Sequence, residues 1–567
     1  MIVKDLADDQ IPARPISAGI PAGVPATSAA PPTLTLGALA LAMPETGGRE
    51  FAKYMHESGG LVDCPKGVPV RELPTDCREV ASTPNELFGK LDDWGLDTIV
   101  IPHGTTWGFY TPLGSSWDKQ LTTEQHDPNR QLLVEVFSGH GNSEEYRSFQ
   151  EVILNDDGTR TCPEPQDDYL PSCRRAGEII AERCEAEGGD DCAERAAVAR
   201  QNYVDAFFNG GVRTVPGTEV ADWQDSGQCR DCFQPAFNYR PKSSVQYMLA
   251  LGHKDEAGKP IRFQFGFIAS SDNHSARPGT GYKEVARSEF TEARFGRFTE
   301  TPLGEVPEEE PLAHSVARNE FDPSASTFSF FETERGASFF LTGGLAAVHA
   351  TGRDRDAIWE AMKRKEVYGT SGPRILLWFD LLNAPGGQPL PMGSSTELDT
   401  LPIFQARAVG SFEQNPGCPA DATEALAPDR LQRLCQGECY NPSDVRRKID
   451  RIEVVRIRPQ ASDGEKIEGL VEDPWQVFDC PDDPAGCRVA FTDPDYATSG
   501  RDAVYYVRAV EETSDAIDAD PLHCTRDADG RCIEIDPCFD RPWDDDCVAP
   551  TEERAWSSPI YLGQPTP

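Results

Sequence analysis

The sequence predicts an α/β protein that ends in a β-rich unit, on three observations. In the first two thirds of the chain, short apolar β-type runs alternate with helical stretches. Beyond residue 375 the runs alternate polar and apolar residues, as half-buried antiparallel strands do. Most of the seventeen cysteines fall in near-neighbour pairs inside polar loops.

Taken in order, residues 1–48 read as an extended Pro- and Ala-rich segment. Its one apolar run, Leu34 to Met43, is too short to cross a bilayer. Asp5, Asp8 and Asp9 stand where a signal peptide carries basic residues. Ser82-Thr83-Pro84 starts a helix over Asn85 to Trp94, which leads into a strand, Leu96 to Ile101. A second strand, Leu132 to Phe137, follows, then a cysteine-bearing insertion at about 160–235. Within it Arg174 to Phe208 is helical, broken at Gly188-Gly189, and reads as a disulfide-pinned lid or decoration. A helix over Ser243 to Leu251 precedes the strand Ile261 to Ala269. Asp354 to Glu366 reads as an amphipathic scaffold helix with Ile358, Trp359 and Met362 inward. The unit over 375–567 holds strands at Arg374 to Asp380, Ile403 to Val409, Ile449 to Ile457 and Ala503 to Val510.

Chemistry concentrates just past three of these strands. Asp272 and His274 stand two apart beyond an apolar strand, so their side chains share a face and can meet on one ion. A carboxylate and an imidazole suit a divalent zinc-, manganese- or iron-type ion. Alone, such a pair is more often a surface turn. Its weight comes from company: of nine histidines, His103 and His140 also follow apolar strands. Glu135 and Glu144 flank His140 and complete the candidate ligand set of His103, Glu135, His140, Glu144, Asp272 and His274. Asp272, His274 and His140 are the candidate catalytic groups. Trp107 and Tyr110 could wall a substrate pocket, although aromatic residues after a strand are commonly core. Arg277 could meet an anionic small-molecule substrate, although most arginines are simply solvated. Ser-His-Asp chemistry lacks its G-x-S-x-G elbow.

Composition narrows the field. A net charge of −40 argues against nucleic acid and against anionic membrane surfaces. No segment is long and apolar enough to span a membrane. The pairs Cys64/Cys77, Cys162/Cys173, Cys184/Cys192, Cys229/Cys232, Cys480/Cys487, Cys524/Cys532 and Cys538/Cys547 suit local disulfides and thus the periplasm or the extracellular space. Zinc ribbons and a redox C-x-x-C at Cys229 to Cys232 are the rival readings, and the trio Cys418, Cys435 and Cys439 is left open.

Ile101-Pro102-His103-Gly104, the Glu135 to Glu144 segment, Gly266 to His274, Gly343 to Val348 and Tyr368 to Ile375 together resemble a bacterial domain of unknown function, family 3604. That family is similar to the PHP (polymerase and histidinol phosphatase) metallohydrolases. The resemblance implies a distorted α/β barrel over 49–374, with metal ions at strand ends and a water that attacks a phosphate or other ester. His103 matches the P-H position, and Asp272 and His274 the closing D-x-H. Such chains open with an H-x-H, which this sequence lacks, since only His56 precedes His103. The expectation is therefore an amino-terminal extension that supplies the missing motif. The alternative is a non-catalytic secreted binding protein that keeps the fold with an incomplete site.

Overall fold

The computed structural model describes residues 1–7, 16–18, 53, 61–109, 111–206, 211–255, 258–273, 281–293, 310–320, 335–538 and 547–565. Helix α1 (Pro84–Trp94) begins where the sequence places it. Thr83 is extended and its Oγ1 accepts from Glu86 N, Pro84 opens the first turn, and Gly95 at φ 67° closes the last. Phe88 and Leu91 form its buried stripe. The strand before His103 is shorter than expected, only Thr98–Ile99, paired antiparallel with Ile2–Val3.

Strand β1 (Leu133–Ser138) is buried along its length and turns back into β2 (Gly141–Asn142). The insertion folds as two helices, α2 (Ser172–Ala186) and α3 (Cys192–Asp205), broken around Gly188-Gly189 as the sequence indicates. Helix α4 (Val245–Ala250) is capped by the Ser244 hydroxyl, which accepts from Tyr247 N. The expected strand over Ile261 to Ala269 is broken: Pro260–Ile261 pairs elsewhere, and only β3 (Gly266–Ala269) pairs with β1, in parallel. Strand β4 (Leu345–Val348), helix α5 (Arg355–Lys363) and strand β5 (Val367–Thr370) follow. On α5 Trp359 is buried and Met362 half-buried, but Ile358 is exposed, contrary to expectation, because the contact stripe is narrower than the apolar one.

The main strands beyond residue 375 are β6 (Leu376–Leu381), β7 (Ile403–Val409), β8 (Ile449–Ile457), β9 (Val471–Asp479), β10 (Cys487–Thr492), β11 (Ala503–Glu511), β12 (Arg554–Ser557) and β13 (Ile560–Gly563). They form two layers. One is an eight-stranded sheet along β4-β5-β12-β11-β8-β9, with β13 joined to β11 and to Ser395–Glu397. The other runs Leu390–Pro391, β6, β7, β10. Strands from both sides of residue 375 thus share the larger sheet.

Side-chain alternation explains the packing. Ala503, Tyr505, Val507 and Ala509 of β11 face the smaller sheet and its Leu377, Phe379, Phe404 and Ala406. Val504 and Tyr506 face the opposite way, onto Val134, Phe137, Met248 and Phe267. The larger sheet is therefore a middle layer, which is why β11 is buried throughout where the sequence suggested a half-buried strand. Strands β6 and β7, in the outer sheet, keep the expected alternation of buried and accessible positions. Among the described residues no sheet closes into the barrel that the resemblance implied. In the sheet that carries the candidate residues, the parallel pair β1 with β3 is edged by an antiparallel β2, which leaves no continuous parallel ring.

Eight disulfides fasten the loops, and all seven pairs foreseen from sequence form, Cys229–Cys232 included. In the trio Cys418 joins Cys439, and Cys435 is a buried free cysteine with its Sγ 2.8 Å from that of Cys439. Eight such bridges indicate an oxidising, non-cytoplasmic compartment. No described helix is long and apolar enough to cross a membrane.

Candidate metal centre

Three strand ends meet at one point. Ile99, Leu133 and Ile268 share a small core with Trp359 and Val367, which aligns the segment before His103 with β1 and β3. Because β1 and β3 run parallel, their carboxyl ends open side by side. His140 lies just beyond β1 and Asp272 just beyond β3. Ser270 N donates to Phe137 O at 3.0 Å and continues the pairing to the edge of the site. Asp272 itself takes φ 49°, a left-handed conformation that aspartate tolerates better than most side chains. Close packing forces glycine nearby: a Cβ on Gly139 would lie 2.5 Å from Ser271 O, and one on Gly343 2.4 Å from Ser271 Cα.

The carboxylate of Asp272 bridges the two imidazoles. His103 Nε2 is 3.1 Å from its Oδ1, and His140 Nε2 contacts its Oδ2. One ligating atom from each of His103, His140 and Asp272 lies within 4.8 Å of the others. His140 and Asp272 are largely enclosed, whereas the His103 side chain is 46% exposed and forms the open side.

Neighbouring groups fix the rings. Glu135 accepts from His103 Nδ1 at 2.8 Å and from Gly104 N at 3.2 Å, and Ser270 Oγ donates to its other oxygen. That orients His103 so that Nε2 points at Asp272. Trp107 stacks on His140 with ring centroids 3.9 Å apart and planes 14° from parallel. Burial penalises charge on His103, but its hydrogen bonds and Coulomb attraction to Asp272 and Glu135 prevail and raise it to about 10. Burial also works against charge on Asp272, and the two histidines outweigh it, holding that carboxyl well below its ordinary range.

Of the six ligands expected from sequence, the structure gathers His103, His140 and Asp272 at the centre and sets Glu135 behind His103. Glu144 is not among them. It is fully buried and faces the larger sheet: Tyr506 Oη donates to it at 2.6 Å, Trp556 Nε1 also donates, and Arg508 pairs with it at 3.3 Å. A strand-end position shared with His140 suggested a ligand, but past the turn into β2 the carboxylate meets Tyr506, Arg508 and Trp556 of the larger sheet. His274, Arg277 and Tyr110 lie outside the described residues. Trp107, expected as a pocket wall, is 4% exposed and supports His140 instead. Sequence reasoning missed the parts of Ser270 and Gly104, because a hydroxyl and a backbone amide carry no pattern of their own.

No curated protein and no solved structure matches the chain. Residues 238–380, which carry Asp272, match the model of a family described as a protein of unknown function (DUF3604).

Proposed function

We propose that this chain is a metal-dependent hydrolase, secreted to the periplasm or the extracellular space, that acts on a phosphate or other ester of a small molecule. The observation that carries the reading is the convergence of His103, His140 and Asp272 from three strand ends within ligating distance of one another. Two imidazole nitrogens and a carboxylate oxygen are a donor set that zinc, manganese or iron accepts, with coordination positions to spare. When bound, such an ion supplies Lewis-acid activation of water at neutral pH.

The chain's own residues supply the rest. Asp272 draws both imidazoles onto one point, and Glu135 fixes the His103 ring through Nδ1. Trp107 closes the inner side of His140 against water, while the exposed edge of His103 leaves the approach open for a substrate. The acidic surface keeps anions at a distance except where such a site attracts them. The non-catalytic alternative is decided by the same experiment. Purified protein equilibrated with zinc or manganese and dialysed should retain about one equivalent or more, and Asp272→Ala should lose it. Retention well below one equivalent by the unaltered chain removes the hydrolase reading.

A further inference from the structure

A cavity of about 330 Å³, with neither His103 nor His140 in its lining, opens where the segments around Tyr282 and Arg374 meet those around Phe412, Tyr440 and Arg447. Its volume falls at the lower end of the roughly 300–1,000 Å³ typical of small-molecule sites. The wall is held in place by charge and by covalent chemistry. Lys283 Nζ donates to Glu438 Oε2 and to Gly417 O, each at 2.8 Å, and Cys418–Cys439 closes the loop that carries them.

Two guanidiniums in this wall are uncommitted. Arg374 lies flat on the Tyr440 ring, 3.6 Å from its centroid, and Tyr282 meets the same ring edge-on at 5.5 Å. Stacking occupies the face of a guanidinium and leaves its N–H edges free to bind. Among the described residues the side chains of Arg374 and Arg447 form no salt bridge and no hydrogen bond. In a chain with 94 acidic and 54 basic residues, partners are abundant, so two unpaired arginines in one cavity call for a reason. The acids nearest Arg447 are engaged by other donors: Glu553 by Ser371 Oγ, Glu511 by Ser411 N and Oγ, Glu284 by Ile517 N. They lend Arg447 a favourable field without occupying its fork.

We propose that this cavity binds a small carboxylate that bears a flat ring. The carboxylate is held by the N–H edges of Arg374 and Arg447, and the ring lies against Tyr282 and Tyr440. Planar, paired donors match a carboxylate in geometry as well as in sign. Asp515 is the one exposed acid of the lining.

Calorimetric titration of the full chain with benzoate, benzylamine and inorganic phosphate tests the assignment. Benzoate should bind and raise the unfolding temperature, and the other two should not. Arg374→Gln, at an exposed position, should weaken benzoate by roughly tenfold or more, the scale of a lost charged hydrogen bond. Arg447→Gln should do the same if it folds, and the Arg374 variant suffices if it does not. Chelator treatment should leave benzoate binding unchanged, which separates this site from the metal centre. Absence of benzoate binding, equal binding of benzylamine, phosphate binding in place of benzoate, or an unaltered affinity in Arg374→Gln would each overturn the proposal.

Discussion

Glu135 and Glu144 are both acids near the end of one strand, and they do opposite work. Glu135 bonds to His103 and orients it, so its loss should act on the metal and spare the fold. In Glu135→Gln the amide can still occupy the site but no longer holds the ring by charge. Metal affinity is expected to fall about 10- to 100-fold, with little change in unfolding temperature, by metal titration and calorimetry. Glu144 sits against Arg508, which also reaches Glu453 at 2.9 Å and Asp473. Burial raises Glu144 to about 7, and the positive charge of Arg508 opposes that rise. Glu144→Ala removes an acceptor from three donors at once and should cost about 3–5 kcal/mol in denaturant unfolding. Metal content at saturating zinc should remain that of the unaltered chain. A loss of metal with an intact fold would instead make Glu144 a ligand.

At the scale of elements, the loops are stapled and helices α1, α4 and α5 are capped by side chains. Short disulfide loops such as Cys480 to Cys487 and Cys184 to Cys192 limit the freedom of the unfolded chain, each by about 2–4 kcal/mol. Non-reduced peptide mapping should recover both bridges. It should also recover Cys418 with Cys439, and Cys435→Ser should leave that last pair intact. Finding Cys435 bonded in most molecules would reassign the trio. Helix α1 offers a smaller test. Thr83→Ala removes the hydroxyl that accepts from Glu86 N and should cost about 1 kcal/mol, visible as a shifted denaturation midpoint.

For the molecule as a whole, the middle sheet hides carboxyls as well as apolar side chains. Burial pushes Glu511 up to about 7, against the hydrogen bonds from Ser411 and the attraction of Arg447. A folded-state value above the unfolded one means that the folded chain keeps its proton longer. Below about pH 4.5 this group costs nothing, because both states are protonated. As pH rises from there through about 7, its contribution turns increasingly unfavourable and then levels off. Glu511→Gln removes that term. The variant should therefore gain stability relative to the unaltered chain at pH 8 and not at pH 4, as read by denaturant midpoints at the two values.

Much of this was legible in the chain. Helix α1 announced itself through Thr83-Pro84 and Gly95, and the insertion helices through the break at Gly188-Gly189. The disulfide pairs followed from short spacing in polar loops, because a loop of that length leaves each cysteine few other partners. His103, His140 and Asp272 stood out because each follows an apolar run, and parallel strand ends bring such positions together. What local pattern could not decide was which layer a strand joins. Period-two alternation marks two faces but does not say whether the second meets water, so β11 looked half-exposed and became the centre of a three-layer stack. The same long-range contact turned Glu144 away from the centre, since Tyr506, Arg508 and Trp556 lie hundreds of residues downstream. The sequence by itself determined the local elements, the staples and the three converging donors. Only the tertiary structure decided how the described strands are shared between sheets, the separate duties of the two glutamates and the cavity with its unpaired arginines, because each depends on which distant surfaces are buried together.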